Sequence, residues 1–357
     1  MLREQIAHSI SARAEDAVRT NVFPGCVIGI VRADGERLVL PFGRHTYEEE
    51  SPVVEDNSVY DMASVTKSIP TASLLMLLVE RGVVSLDDLV TRYIPEFGNH
   101  HGKDSVSLRH LLSYTLDLEV PTMSSLKDRT PEEIVSAIVS APLRRPPGSS
   151  YLYTNSTACI IGLVLRNASG KNIDTFAEEE FFSPLEMRSS TFHPEVFEKK
   201  RIVPTEFDPW RGILVHGEVH DESTAVLNRK FILGISGLFS SAPDILNFLE
   251  MLLYGGTRGG IRYFSESTIR MMETNQISHL GDFAGFGWEL NQKWFMGRNA
   301  GPHTFGKTGF TGTCVVCDVE RGIAYTILSN RIFPKRPENS SAINAFRAAI
   351  GEIILSL

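Results

Sequence analysis

The 357-residue sequence lacks the features that suit a membrane protein or a nucleic-acid-binding protein. No stretch of about 18 apolar residues occurs, so the sequence predicts no membrane-spanning helix. The formal net charge is −8, with 35 Lys and Arg against 43 Asp and Glu. Because phosphate backbones are bound by basic surfaces, we do not expect a nucleic acid among the partners. The missing apolar stretch likewise predicts no membrane partner.

The first ten residues also lack the pattern of a secretory signal peptide. They place polar and apolar residues at helical spacing, without a continuous apolar segment followed by a cleavage site of small residues. Only four cysteines occur in the sequence, which suits a reducing compartment. These features predict a cytoplasmic protein.

Two of the cysteines form Cys314-Val-Val-Cys317, which resembles half of a metal or redox motif. No second pair stands near it, and its neighbours have the pattern of a β-strand, in which residues i and i+3 point to opposite faces. We therefore expect buried, unreactive thiols. The sequence indicates no cofactor and no metal.

Strand patterns lie near both ends of the sequence, and helical patterns lie mostly between them. The predicted strands are 26–31, 37–40, 286–291, 313–319 and 323–329, and the clearest predicted helices are 2–20, 74–81 and 342–354. This order predicts an α+β fold with one antiparallel sheet, terminal helices that flank it and an inserted, mostly helical lobe. We expect a single domain over 1–357, with a sheet lobe of about 1–60 plus 236–357, a helical lobe of about 61–235, and a site in the cleft between them.

The Ser-x-x-Lys pattern occurs twice, at Ser64-Val-Thr-Lys67 and at 124–127. The second copy lies in a polar stretch between two prolines. Ser64 instead begins a long apolar helix, with Asp61 as a candidate N-cap, and residues i and i+3 of a helix share a face. Lys67 can therefore reach the Ser64 hydroxyl. Pro70 removes an internal hydrogen bond, which predicts a local kink or a later helix start.

Two further motifs occur once each, at Tyr153-Thr-Asn155 and Lys307-Thr-Gly309. Taken singly, each motif also has a structural interpretation. Ser64 could be a helix cap, Tyr153 a half-buried aromatic residue and Lys307 a solvated strand lysine. Taken together and in this order, the three motifs indicate a serine acyl-transfer site. Ser-x-x-Lys with Lys-Thr-Gly marks penicillin-binding proteins and serine β-lactamases.

From about residue 20 to about residue 330, the sequence resembles the superfamily of class C β-lactamases and penicillin-binding proteins, which also contains DD-peptidases, D-aminopeptidases and family VIII esterases. The further segments that carry this resemblance are 108–115, Pro147-Gly148, Gly162, Ser169-Gly170, Pro184–Met187, Gly237–Ser240 and Gly306–Thr313. The resemblance implies a β-lactamase/transpeptidase-like fold.

The sequence departs from the family pattern in two places. The family commonly has Leu-Leu-x-His-Thr-Ser-Gly-Leu where this sequence has Leu111-Leu-Ser-Tyr-Thr-Leu-Asp-Leu118. Many esterase-like members carry histidine where Lys307 stands. A lysine there carries a permanent positive charge. We therefore expect that substrates bearing a carboxylate remain possible ligands.

The predicted mechanism begins with attack of Ser64 on an ester or amide carbonyl. Lys67 and Tyr153 are both candidates for the base. Burial and the charge of Lys307 should move Lys67 toward its neutral form, and two positive neighbours should move Tyr153 toward phenolate. The sequence does not choose between the two bases.

The resemblance also implies roles for the residues around the nucleophile. The oxyanion would bind to the backbone N–H groups of Ser64 and Phe310. Asn155 would orient Lys67 or the substrate amide. Lys307, Thr308 and Gly309 would bind the substrate.

Other functions remain as alternatives. A metal hydrolase could use His216 and His220 at i and i+4, although Gly217 and Val219 weaken a helix there. A non-catalytic penicillin-binding-like sensor is a second alternative. Within the enzyme class we favour a carboxylesterase-like hydrolase of small esters or amides, with a β-lactamase, a D-Ala-D-Ala carboxypeptidase or a D-aminopeptidase as the next choice.

Overall fold

The computed structural model describes residues 2–99 and 102–357. The helices are α1 Leu2–Arg19, α2 Ser73–Glu80, α3 Leu108–Leu112, α4 Pro131–Val139, α5 Asn155–Ser169, α6 Ile173–Ala177, α7 Glu222–Leu227, α8 Ala242–Leu253, α9 Glu266–Glu273, α10 Lys293–Met296 and α11 Ser341–Ile354. The strands are β1 Gly25–Arg32, β2 Arg37–Gly43, β3 Tyr60–Asp61, β4 Phe207–Asp208, β5 Ile213–Leu214, β6 Phe239–Ser240, β7 Thr257–Arg258, β8 Ile261–Arg262, β9 Ala284–Gly285, β10 Trp288–Leu290, β11 Phe305–Thr308, β12 Cys314–Asp318 and β13 Ile323–Ser329.

One seven-stranded antiparallel sheet contains strands from both ends of the chain. Its order is β2-β1-β13-β12-β11-β10-β9, so β1 lies beside β13 although nearly 300 residues separate them. The register pairs Cys26 with Ser329 and Arg32 with Ile323. The predicted α+β fold with an antiparallel sheet is confirmed.

Strand β1 is buried on both faces from Gly25 to Val31, which explains why this part of its sequence is continuously apolar rather than alternating. Cys26, Ile28 and Ile30 face a core formed with α1 and α11. Val27 and Val31 face the larger core, which includes α8 and the helices of the inserted segment. Successive side chains of a strand point to opposite faces, so one strand joins the two cores.

Helix α2 lies inside the larger core, in contact with α5. Six consecutive residues of α2, Ser73 to Leu78, are buried. At the junction with the sheet, β3 pairs with β6, with Tyr60 opposite Ser240. This pair lies close to the predicted lobe boundaries near residues 60 and 236, and the division into two lobes remains our proposal.

The contact between α8 and β1 allows a direct test of the larger core. Leu246 is fully buried, and its side chain lies against the backbone at Gly29. We expect Leu246→Ala to lower the free energy of unfolding by roughly 2–5 kcal/mol because it removes buried methyl groups and leaves a cavity. Urea denaturation followed by circular dichroism would measure it. Leu89→Ala, at a side chain that is 43% exposed, should change the free energy of unfolding by much less.

Candidate active site

Ser64 lies in a short 3₁₀ turn, Ala63–Lys67, that precedes α2. A π-helical turn with a kink at Ile69 separates this segment from α2, so the kink predicted at Pro70 is present. The predicted helix cap is different, because Asp61 Oδ1 accepts a hydrogen bond from the Ala63 N–H at 2.8 Å while the N-cap position itself is Met62. Ala63 has a φ of +46°, an uncommon conformation for a residue with a side chain. The Asp61 contact holds this turn directly before Ser64.

The Lys67 ammonium is in direct contact with the Ser64 hydroxyl. Its Nζ atom donates to Ser64 Oγ at 2.9 Å and to the Ile235 carbonyl oxygen at 2.7 Å. Burial, and then the positive charge of Lys307, lower the pKa of Lys67 from 10.5 to about 7. A substantial fraction of Lys67 is therefore neutral near pH 7, as the sequence analysis expected.

Tyr153 lies beside both lysines, but its hydroxyl does not behave as predicted. Its ring centroid is 3.9 Å from Lys307 Nζ and 5.5 Å from Lys67 Nζ. Burial is the dominant influence and raises the pKa of the hydroxyl well above its ordinary value, although the nearby Ser64 hydroxyl opposes this rise. Within the described residues, that hydroxyl has no hydrogen bond of normal geometry. The expectation that positive neighbours favour the phenolate was wrong, because the cost of burying the anion is larger.

The Tyr153 ring is supported by Tyr114, which lies in the segment that departs from the pattern of the resembled family. The two rings meet edge to face with centroids 5.6 Å apart. The Tyr114 hydroxyl donates to the Gly287 carbonyl oxygen at 3.1 Å, which connects this loop to the end of the sheet. Tyr114 therefore forms part of the wall behind the site.

Lys307 is held by a carboxylate that the sequence analysis missed. Its Nζ atom lies 2.9 Å from Glu289 Oε2 on the neighbouring strand β10, and Lys307 is only 1% exposed. The predicted permanent cation is present, but it belongs to an internal ion pair that is covered by the Tyr153 ring. A charged residue inside the apolar run 286–291 was the available signal, because a buried carboxylate requires a partner.

The turn that follows β11 packs directly against the segment that carries Ser64. Thr311 Oγ1 donates to the Asp61 carbonyl oxygen at 2.8 Å, and Thr313 Oγ1 donates to the Met62 carbonyl oxygen at 3.0 Å. A Cβ atom at Gly309 would lie 2.6 Å from that same Met62 oxygen and 2.1 Å from Thr313 Oγ1. Glycine is required here because two backbones meet.

Two buried arginines hold the other side of this turn. Arg347 of α11 donates through Nη2 to the Gly309 and Thr313 carbonyl oxygens, both at 2.8 Å. Arg331 Nε donates to the Phe310 carbonyl oxygen at 2.9 Å. The Phe310 N–H has no hydrogen-bond partner in the part of the chain that the structure describes. A fixed turn with a free N–H beside the first helical turn at Ser64 is suited to binding an oxyanion.

A cavity of about 280 Å³ lies beside Ser64. It is lined by Ala63, Ser64, Lys67, Asn155, His220, Asp221, Glu222, Ser236, Phe310 and Arg336. Of the residues predicted for the site, Ser64, Lys67, Asn155 and Phe310 line this cavity. Tyr153, Lys307, Thr308 and Gly309 are not among the described residues that line it. Asn155 lies at the start of α5 on the wall of this cavity.

The histidines of the metal-hydrolase alternative are not arranged as that alternative requires. The His216 ring contacts the Lys199 and Ile202 carbonyl oxygens, whereas His220 Nε2 lies 2.7 Å from Glu206 Oε1. The segment between them is a turn rather than a helix, with Gly217 at a φ of +78°. Across residues 2–99 and 102–357, no group of three His, Cys, Asp or Glu side chains is arranged to hold a metal ion.

The remaining sequence motifs, the four cysteines and the second Ser-x-x-Lys copy, do not line the cavity beside Ser64 where the structure describes them. All four cysteines are buried and unpaired, and burial raises the pKa of Cys314 to about 11 and that of Cys159 to about 12. In the second Ser-x-x-Lys copy, the Ser124 side chain lies outside the described part of the structure. Lys127 Nζ lies 5.5 Å from the centre of the Trp210 ring.

The chain is similar to known proteins of one family. The family described as "Beta-lactamase" matches residues 10–350. A protein of Salmonella agona (strain SL483), named "Putative D-alanyl-D-alanine carboxypeptidase", is 29% identical over 317 residues, which are 81% of this chain and 72% of that protein.

Two solved structures have the same fold at low sequence identity. EstCE1, described as a hydrolase with promiscuous acyltransferase activity, has a TM-score of 0.79 and 20% identity, with 99% of each chain covered. The octameric penicillin-binding protein homologue from Pyrococcus abyssi has a TM-score of 0.76 and 21% identity, over 100% of this chain and 78% of that one.

Because the family match covers nearly the whole sequence, the chain belongs to the beta-lactamase family, whose members are serine hydrolases. The predicted β-lactamase/transpeptidase-like fold is confirmed. None of the described helices is both long enough and apolar enough to cross a membrane.

The contact at Gly309 can be tested without assuming a substrate. We expect Gly309→Ala to lower the melting temperature and to slow labelling of Ser64 by a fluorophosphonate, because the new methyl group must displace the Met62 backbone. Gly301→Ala is the matched control, since a Cβ atom there meets its nearest neighbour, an arginine side chain, at 3.4 Å. Equal labelling rates in the two variants would contradict the role given to this contact.

Proposed function

We propose that the protein is a carboxylesterase-like serine hydrolase of small esters or amides that is acylated at Ser64. The observation that carries this proposal is the 2.9 Å contact between Lys67 Nζ and Ser64 Oγ, made by an amine whose pKa is about 7. A base with a pKa near the working pH combines a large neutral fraction with useful proton affinity. Lys67 is therefore the better candidate for the base, and Tyr153, whose pKa is raised, remains available as a neutral proton donor.

The proposed reaction has two acyl-transfer steps. Ser64 Oγ attacks the carbonyl carbon while Lys67 takes the hydroxyl proton, and the oxyanion is bound by the N–H groups of Ser64 and Phe310. Collapse of the tetrahedral intermediate releases the alcohol or amine, which takes a proton from Lys67. Water then hydrolyses the acyl-enzyme by the same route. Loss of one oxyanion donor would raise the barrier by about 3 kcal/mol.

The charge arrangement supports substrates that carry no carboxylate. Lys307 is neutralised by Glu289 and does not line the cavity, so we assign it an electrostatic effect on Lys67 rather than a contact with substrate. Thr308 and Gly309 then serve mainly to place the turn that carries Phe310. This refines the earlier expectation that Lys307 binds an anionic group.

A D-Ala-D-Ala carboxypeptidase is the second candidate, favoured by the 29% identity to a protein with that name. A peptide substrate of this kind carries a terminal carboxylate, which needs a cation that is not already paired. One turnover panel distinguishes the candidates. It would compare short p-nitrophenyl esters, a chromogenic cephalosporin and D-Ala-D-Ala peptides.

The central prediction concerns Ser64. We expect wild-type protein to hydrolyse the short esters and to gain the mass of one acyl or phosphonyl group on Ser64, as measured by peptide mass spectrometry. Ser64→Ala should lose both the adduct and at least about 10³-fold in kcat, because the covalent route is removed. Normal turnover by Ser64→Ala would exclude the proposed mechanism, and labelling without any turnover would favour the binding-sensor alternative.

The pH dependence of ester hydrolysis should report the neutral fraction of Lys67. We expect kcat/KM to fall as the pH decreases through about 7, because a protonated Lys67 cannot accept the Ser64 proton. Lys307→Met removes the cation that lowers the pKa of Lys67 and should move this limb to higher pH. Glu289→Gln removes an anion that raises the same pKa and should move the limb to lower pH. Shifts in the same direction would contradict this electrostatic assignment.

A further inference from the structure

The cavity beside Ser64 contains a carboxylate that the proposed reaction does not use. Asp221 lines this cavity together with Ser64 and Lys67. Its Oδ1 atom accepts a hydrogen bond from the Thr224 N–H at 2.8 Å and so caps α7. Among the residues that the structure describes, Asp221 has no basic partner within ion-pair distance. The carboxylate is only partly exposed, and its charge acts on Lys67 and raises the pKa of that group.

The other charged residues of the cavity do not neutralise Asp221. Arg336 is the one arginine among the lining residues, and its guanidinium is already bound to two carboxylates. Its Nε atom donates to Glu206 Oε1 at 2.9 Å, and its Nη2 atom donates to Glu222 Oε1 at 3.0 Å. His220, which also lines the cavity, contacts the same Glu206 carboxylate at 2.7 Å. When Lys67 is neutral, as the proposed reaction requires, these pairings leave Asp221 as an unbalanced negative charge on the wall.

A second polar group of this wall, the Ser236 hydroxyl, has no hydrogen-bond partner among the described residues. Ser236 lines the cavity and is 4% exposed, and its hydroxyl forms no hydrogen bond with any described residue. The neighbouring Ile235 carbonyl oxygen is used by Lys67. A buried hydroxyl without a partner is uncommon in folded proteins, and this one is free to make a polar contact with a bound acyl group, while Asp221 supplies the charge.

We propose that this cavity binds the acyl portion of substrates that carry a positively charged nitrogen, with Asp221 as the residue that recognises the charge. The inference rests on the proposed function, since acylation of Ser64 is what brings the acyl chain into the cavity. A carboxylate in the same position would be repelled by Asp221. The site thus discriminates between acyl groups by the sign of their charge.

Three p-nitrophenyl esters of similar size test this proposal on the wild-type protein. They are the cationic 4-(trimethylammonio)butanoate, the neutral 5,5-dimethylhexanoate and the anionic monoester of glutaric acid. We expect kcat/KM to decrease in that order, with the cationic ester favoured over the neutral one by about tenfold, which corresponds to one partly buried charge contact. Equal values, or a preference for the neutral or anionic ester, would overturn the proposal without any variant.

The variant Asp221→Asn assigns the effect to one residue. Asparagine is as good a helix cap as aspartate, so α7 keeps its first turn. We expect the cationic-to-neutral ratio of kcat/KM to fall toward one. Glu15→Gln, which removes the same charge from an exposed position on α1, should keep the wild-type ratio.

The possible failures are distinguishable. A folded Asp221→Asn protein that keeps the wild-type ratio would show that Asp221 does not recognise the charge. Turnover that survives Ser64→Ala would instead show that the proposed acyl-enzyme chemistry is wrong. Loss of the cationic preference by the control Glu15→Gln would attribute it to net charge and would also overturn the assignment to Asp221.

Discussion

The arrangement of the site depends on one contact between two distant parts of the chain. The turn Gly309–Thr313 lies against the backbone of residues 61–63, joined by the Thr311 and Thr313 hydroxyls and with room only for glycine at position 309. This contact fixes the distance between the Ser64 N–H and the Phe310 N–H. The terminal helix α11 supports this contact, because it contributes Arg347, which donates a hydrogen bond to the Gly309 carbonyl oxygen.

Burial determines the chemistry of the ionisable groups at the site. It lowers the pKa of Lys67 and raises that of Tyr153, so the same environment favours the neutral form of both groups. A neutral amine can accept a proton and a neutral phenol can donate one. The positive charge of Lys307 lowers the pKa of Lys67 further, and the negative charge of Glu289 opposes this effect. The acid and base roles therefore follow from desolvation more than from the number of nearby charges.

Much of the fold was predictable because its signals are local. The apolar run 26–31 and the terminal helical patterns identified β1, α1 and α11 to within about two residues, and the cysteines at 314 and 317 lie in the predicted strand. The observed strand, β10, is shorter than the predicted strand 286–291, because Gly287 adopts a positive φ and interrupts the extended backbone. The contact between Lys67 and Ser64 was also predictable, because it depends only on the spacing of i and i+3 in a helical turn. The Glu289–Lys307 pair and the Arg347 contacts depend on strand pairing and helix docking, which spacing along the sequence does not encode.

The four buried cysteines have a practical consequence. Because their thiols lie in the two cores with pKa values raised by burial, thiolate formation is suppressed throughout the folded protein. A single cysteine introduced at the mouth of the cavity would then be the one readily alkylated thiol. Fluorescent or spin-label reporters could be attached there without first replacing the native residues, and any slow reaction of the native thiols would measure how often the cores open.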